Sequence, residues 1–269
     1  VQLSILLVGD LHRAEFREAQ EAARRLGDLL GVADAAAAAD AIASGRTTPD
    51  LIVVAQAFPG EFSAASIERL RRLAPLARVV GLLGPWCEGE TRTGKPWPAA
   101  IRLYWHQWLP RAEEDLRRLG GGQTSNWSLP ATASEEERLL AMADRPWQQR
   151  RGRVAIHSPW TEMHAWLADA CRLRGYTPVR LAAAAGPCAR TAVADALLFD
   201  GTDCQDHELA DLARLAALVR PAPVVVLLDF PRVEDRDRAL AAGAAAVLAK
   251  PLLLEDLFWQ LDAVWPAYN

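Results

Sequence analysis

Short apolar runs alternate with longer amphipathic stretches along the whole 269-residue chain. The first run, Leu3-Ser4-Ile5-Leu6-Leu7-Val8, ends at Gly9-Asp10, and a helical pattern follows from His12 to Leu26, stopped by Gly27. A weaker strand and an Ala-rich helix lead to Thr48-Pro49-Asp50, then to the continuous run Leu51-Ile52-Val53-Val54. Unbroken runs with β-branched residues fit strands covered on both faces, as in parallel sheets. Ser66 to Leu73 reads as helix, Ala77 to Leu83 as a fourth strand, Ile101 to Trp108 as a fifth, and Arg111 to Leu119 as a closing helix.

The second half repeats this order. Strands are expected at Arg153–Ile156, Thr177–Leu181, Asp195–Asp200, Pro223–Leu228 and Ala246–Ala249. Helices are expected at Thr161–Arg174 (ended by Gly175), His207–Val219, Glu234–Ala242 (ended by Gly243) and Leu254–Val264. Strands alternating with helices imply right-handed crossovers and a parallel sheet with helices on both faces. The expected fold class is therefore α/β, as two flavodoxin-like, doubly wound, five-stranded parallel sheets of strand order 2-1-3-4-5. Gly120-Gly121-Gly122 opens a polar stretch reaching Arg151, within which Ser134 and Glu137 form a capping box for a helix over 134–143. This divides the chain into 1–119, a linker 120–151, and 152–269.

A formal charge of −4 gives no reason to expect nucleic acid or an anionic membrane as partner. Half of the residues are apolar, ample for a core, yet no apolar run reaches the roughly 18–20 residues of a membrane span. No basic segment leading into an apolar one opens the sequence, so no signal peptide is expected and a cytoplasmic location is. Cys87, Cys171, Cys188 and Cys204 form no CxxC motif and read as reduced thiols. Of the 30 Lys and Arg residues only Lys95 and Lys250 are Lys, a bias that reads as coding composition.

Pro223-Val224-Val225-Val226-Leu227, the Asp235-to-Gly243 helix, Ala249-Lys250-Pro251 and Asp200 at a strand end give residues 152–269 a pattern that resembles the receiver domains of two-component response regulators. The first half resembles them more weakly, through Pro49-Asp50-Leu51-Ile52-Val53-Val54 and its strand order. The resemblance implies a phosphoacceptor Asp ending strand three and an acidic pair after strand one that holds Mg²⁺. It also implies a hydroxyl ending strand four and a Lys ending strand five. Mg²⁺ needs hard oxygen ligands in a tight octahedron, and the metal and the Lys offset charge on the phosphoryl group.

Carried onto the second half, this pattern puts Asp200 at the acceptor and Lys250 at the Lys position. His157 and Ser158 stand where the acidic pair should be, Leu228 where the hydroxyl should be, and Asp203 is the one further hard ligand nearby. Three readings follow: a working phosphoacceptor, an Asp200–Lys250 ion pair kept as structure, or a pocket adapted to another anion or partner. Mg²⁺ is expected only if Asp200 is phosphorylated. In the first half Ala55 falls on the acceptor with Gln56 beside it, Leu83 replaces the hydroxyl, Leu109 the Lys, and Asp10 alone remains of the acidic region. Ala cannot accept a phosphoryl group.

The segment Gly84 to Pro98 stands where a receiver has its fourth helix, and three Gly and three Pro there argue against one. Tyr104-Trp105-His106-Gln107-Trp108 follows on the expected fifth strand, so four of the ten Trp lie within 86–108. Trp86, Arg92, Lys95, Trp97, Tyr104, Trp105 and Trp108 form a candidate partner or self-association surface. The alternatives are that the rings cover apolar surface left by the missing helix, or that they line a small-ligand pocket. Gly89 to Lys95 lacks the spacing of a phosphate loop, since Pro96 follows the Lys. Glu88, Glu90 and His106 could form an acid/base set, but loop carboxylates of this kind are expected to be solvated. Cys204 and His207, with Cys188, lack a fourth zinc ligand. His157 and Ser158 point to opposite faces if both lie on the strand, which argues against a dyad. Trp166 and Trp259 read as core or interdomain residues.

The expected protein is thus a non-catalytic signalling or scaffold module of two degenerate receiver-like domains with no output domain. Its partners would be proteins, a histidine kinase or a second copy among them. The alternatives are a phosphorylatable regulator using Asp200, and a small-ligand binder or enzyme at the carboxyl ends of the strands.

Overall fold

The computed structural model describes residues 3–97, 101–123, 125–130, 132–134, 136–138, 140, 148–182 and 194–265. Cys188 and much of the expected helix over 134–143 lie outside them. The chain divides into two compact units, Val1–Arg145 and Pro146–Asn269.

The first unit runs β1 (Leu3–Val8), α1 (Arg17–Leu26), β2 (Gly27–Val32), α2 (Ala35–Ala43), β3 (Leu51–Gln56), α3 (Ala64–Leu73), β4 (Arg78–Leu83), α4 (Glu90–Thr93), β5 (Ile101–Tyr104) and α5 (Trp108–Gly120). Its strands form one parallel sheet, in the order β2-β1-β3-β4-β5. Every residue of β3 is buried, as its unbroken apolar run requires of a strand covered on both faces. Asp34 and Ser63 cap α2 and α3 by accepting from Ala37 N (2.8 Å) and Ser66 N (3.1 Å), satisfying amides that the helix leaves without partners. Gly27 does not stop α1 with a separate turn; it is already the first residue of β2, in extended backbone.

The second unit runs β6 (Arg153–His157), α6 (Thr161–Arg174), β7 (Thr177–Arg180), β8 (Ala196–Asp200), α7 (Asp206–Val219), β9 (Val224–Asp229), α8 (Val233–Ala241), β10 (Ala246–Lys250) and α9 (Leu254–Val264). Its parallel sheet has the order β7-β6-β8-β9-β10, which is again 2-1-3-4-5. Gly175 ends α6 at φ 96°, a left-handed position that suits Gly. Both faces of the sheet are covered: Val154, Ile156, Leu198 and Leu227 pack toward Leu167, Cys171, Phe258 and Leu261 on one side. Leu197, Phe199, Val226 and Leu228 pack toward Leu212, Leu215 and Ala239 on the other.

The fifth strand of the first unit is shorter than its sequence suggests. It ends at Tyr104, residues Trp105–Gln107 form a 3-10 turn, and α5 begins at Trp108. Pro110 is compatible with this because the first helical turn leaves its amides without intrahelical partners. The segment expected to lack helix carries one 3-10 turn, Pro85–Cys87, and the single turn of α4. Segment 120–151 is shared between the units. Trp127 is buried against Trp108 (ring centroids 6.1 Å apart), whereas Arg150 N donates to Arg174 O at 2.8 Å. Ser134 and Glu137 make the reciprocal capping pair, Glu137 N to Ser134 Oγ (3.1 Å) and Ser134 N to Glu137 Oε2 (2.7 Å).

Candidate functional site

In open parallel sheets of this type, ligands bind beyond the carboxyl ends of the strands. Strand register makes those ends comparable. Val8 ends β1 and faces Val54; His157 ends β6 and faces Phe199. Ala55 is therefore the counterpart of Asp200, and Gly9 that of Ser158. Leu82 faces Ala55 and Leu227 faces Asp200, so Leu83 matches Leu228. Leu103 faces Leu82 and Leu248 faces Leu227. Two residues further on, Trp105 is the counterpart of Lys250. This corrects the expectation for Leu109, which lies inside α5.

In the second unit Asp200 ends β8 with 2 % of its surface exposed. Lys250 Nζ donates to Asp200 Oδ1 at 2.7 Å, and Ser158 Oγ donates to Asp200 Oδ2 at 2.6 Å. The ammonium also donates to Gly201 O at 2.8 Å and pairs with Asp229 Oδ1 at 3.1 Å. Two of its protons thus have acceptors, and Asp229 adds an ion pair. Ser158 Oγ in turn accepts from Trp160 N at 3.1 Å, which ties the loop after β6 to the carboxylate. His157 Nδ1 donates to Leu181 O at 3.2 Å, and its ring stacks on Phe199 with centroids 5.0 Å apart. Leu228 is buried in the core and brings no hydroxyl to the strand end. A buried carboxylate needs such pairing, because desolvation of an ion outweighs any single weak contact.

The Mg²⁺ that the resemblance implies does not fit these donors. The acidic pair's positions hold an imidazole committed to a carbonyl and a hydroxyl committed to Asp200 itself. Asp203, expected as a further ligand, is an exposed loop residue whose carboxylate accepts from Gln205 Nε2 at 2.9 Å. The loop's organiser is Glu208, which accepts from Thr202 N (2.9 Å), Thr202 Oγ1 (2.7 Å) and Cys204 N (3.0 Å). Its position three residues into α7 could have signalled this role. Among the described residues no three His, Cys, Asp or Glu side chains come together as a metal cage.

Two clefts open at Asp200. One of about 350 Å³ is lined by His157, Ser158, Phe199, His207 and Glu208 among others. The other, about 850 Å³, lies among Trp160, Trp166, Asp229, Phe230 and Lys250. Trp166 is therefore partly exposed on a cleft wall, which corrects its reading as a core residue.

The first unit has closed the corresponding space. Gly9 approaches β3 so closely that a Cβ there would lie 2.4 Å from Ala55 O. Asp10 turns outward, exposed, and accepts from His12 N at 3.1 Å. Gln56 is fully buried; its amide nitrogen donates to Glu90 (3.2 Å to either oxygen), and its Oε1 accepts from Trp97 Nε1 at 3.1 Å. Arg102 completes the network through an ion pair with Glu90 and a cation–π contact 5.6 Å above the Trp97 ring. Glu90 is consequently buried, against the expectation of a solvated loop carboxylate. His106 Nε2 lies 3.3 Å from Glu88 Oε1, so the imagined acid/base set is split.

Trp97 joins the core with Phe62, Ile67 and Leu70 and meets Phe62 edge-on at 6.3 Å. It fills the sheet face that a one-turn α4 leaves open. Trp97, Trp105 and Trp108 are all buried, so they offer no surface to a partner. Of the expected partner residues, Trp86, Arg92 and Lys95 are exposed or partly so, and Tyr104 is half-buried. Trp86 stacks on the exposed Phe58 at 6.3 Å, and the Arg13 guanidinium lies 4.9 Å from the Phe58 ring. Phe58 carries no sequence signal that would mark it out.

No protein-family model matches the chain, and neither does any curated protein. Among solved structures, the chain is similar to a response regulator CheY-like protein from Mesorhizobium loti. The two are 20% identical with a TM-score of 0.34, over 40% of this chain and 94% of that one. It is also similar to the chemotaxis protein CheY4 of Vibrio cholerae (17% identity, TM-score 0.38, 43% of this chain and 99% of that one). A CheY-like receiver domain protein from Methanospirillum hungatei gives 20% identity and a TM-score of 0.36, over 42% and 93%. At such identities the likeness is one of fold.

Proposed function

We propose that the protein is a non-catalytic signalling or scaffold module of two degenerate receiver-like units, without a resident metal, acting through contacts with protein partners. The observation that carries this reading is the set of groups around Asp200. Both its oxygens are engaged, one by Lys250 and one by Ser158, and no second carboxylate stands at the Ser158 or His157 positions. Phosphoryl transfer to Asp200 needs a metal held beside it, and these positions offer that metal no carboxylate. In the first unit Ala55 removes the nucleophile altogether. The exposed pair Phe58–Trp86, with Arg13 beside it, is the contact surface this reading favours, since aromatic and Arg side chains dominate binding hot spots.

The test is a titration with beryllium fluoride or acetyl phosphate in the presence of Mg²⁺, followed by Trp fluorescence. The expected result is no saturable, Mg²⁺-dependent change. A saturable Mg²⁺-dependent response that disappears in Asp200→Ala would replace this reading with a phosphorylatable regulator.

A further inference from the structure

The larger cleft beside Asp200 has a composition that the contact reading does not use. Its walls carry Trp160, Trp166 and Phe230, which are 63 %, 39 % and 59 % exposed. Three large aromatic surfaces around one opening in a single small unit are uncommon, because exposed rings are normally scattered. Phe230 is held there at φ 44°, a left-handed conformation that costs a non-Gly residue free energy and is stored where the surroundings impose it. Its amide donates to Lys250 O, which anchors it over the end of β10.

The charge of the cleft is negative. Its lining includes Asp200, Asp229 and Glu162 against the single cation Lys250. That ammonium already donates to Asp200 and Gly201 O and is paired with Asp229, so its charge is offset within the unit. Asp229 and Glu162 are exposed, and neither Asp229 Oδ2 nor the Glu162 carboxylate has a partner among the described residues.

From these observations we infer that the cleft is a binding site for a small organic cation, an alkylammonium or guanidinium compound, held over the faces of Trp160, Trp166 and Phe230 and neutralised by Asp229 and Glu162. Aromatic faces attract such cations through their quadrupole, most strongly where water is partly excluded. A cleft of about 850 Å³ lies within the range that takes small-molecule ligands. An anionic ligand is disfavoured by the net charge, and a purely apolar one would leave the two carboxylates unused. Trp160 N donates to Ser158 Oγ, which donates to Asp200, so occupancy of the cleft bears directly on the buried carboxylate. This inference does not depend on the contact reading.

The experiment is a titration of the full chain with choline chloride and with N-methylguanidinium chloride, at constant ionic strength and without Mg²⁺, read by Trp fluorescence and by calorimetry. A saturable response is expected, absent when the uncharged carbon isostere of choline replaces it. Asp229→Asn keeps an oxygen for Lys250 but removes the charge, and should weaken binding about tenfold. Trp166→Ala should weaken it about fivefold, and Glu162→Gln, at an exposed position that the fold does not need, less than either. Equal responses to choline and its uncharged isostere would overturn the assignment, and so would the lack of any saturable response to either cation. Full affinity in Asp229→Asn, Glu162→Gln and Trp166→Ala alike would move the site elsewhere and overturn it as well.

Discussion

At the carboxyl end of β8 the second unit holds a buried carboxylate, clasped by Lys250 and Ser158. At the matching register position the first unit has Ala55, and the polar groups have moved one residue along to Gln56, which links Glu90, Arg102 and Trp97. The second unit keeps an opening on either side of its ion pair; the first has packed Gly9 against Ala55 and lowered Trp97 onto the sheet. Two sheets of identical strand order therefore tolerate opposite treatments of the same corner. The fold rests on the apolar strands, whereas the corner needs only that each buried polar group find a partner. Where Ala55 ends the strand there is no carboxylate for a Lys to pair with, and the counterpart Trp105 is core.

If Trp97 stands in for a missing helix, Trp97→Ala should be the most damaging single change. About 3–5 kcal/mol of destabilisation is expected for a buried Trp, read from urea unfolding. A loss under about 1 kcal/mol would mean that the sheet face is covered by something else. Lys250→Met probes the other corner. It strands Asp200 in the interior and should cost about 3 kcal/mol, while the double change with Asp200→Leu should recover most of it. Failure of the double variant to recover would show that the pair does more than satisfy itself. Ser158→Ala removes one hydrogen bond to a charged group and should cost about 1.5–3 kcal/mol, near the lower figure because Lys250 remains.

A further effect, confined to high pH, comes from the buried thiols. Burial pushes the Cys171 thiol up from 9.0 to about 12, and burial, then the nearby Asp235 and Glu208, pushes Cys204 up to about 11. Between the unfolded and folded values the native state holds protons that the unfolded chain has released. Stability is full below about pH 9 and falls as pH rises towards 11 and 12. Alkaline unfolding should therefore shift to higher pH in Cys171→Ala and Cys204→Ala, both in the second unit. Alkylation at neutral pH should leave Cys87, Cys171 and Cys204 unlabelled until the chain unfolds, as peptide mass mapping would show, since all three are buried.

The strands were largely legible. β3 and β8 are unbroken apolar runs, and a central parallel strand has no other way to look. Tyr104 to Trp108 misled because aromatic residues suit a strand and a buried helix start equally, and Pro110 does not separate the two within a first turn. Among site residues, Asp200 and Lys250 could be matched because each ends a recognisable strand. Glu90 could not be seen as buried: its partners Gln56 and Arg102 lie 34 and 12 residues away, and nothing local announces them. Asp203 failed for the converse reason, since its acidity suggested a ligand while the loop turned it to solvent.

The order of most strands and helices, and the residue types at the strand ends (Ala55, Asp200, His157 and Ser158), were determined by the sequence alone. These depend on hydrophobic periodicity and on side-chain chemistry at strand ends, both of which are local. Only the tertiary structure decided that three of the four clustered Trp are core, that Lys250 is paired with both Asp200 and Asp229, and that Trp160, Trp166 and Phe230 surround a negative cleft. Those outcomes depend on which distant groups meet, and a buried polar or aromatic side chain takes its role from its partners, not from its neighbours along the chain.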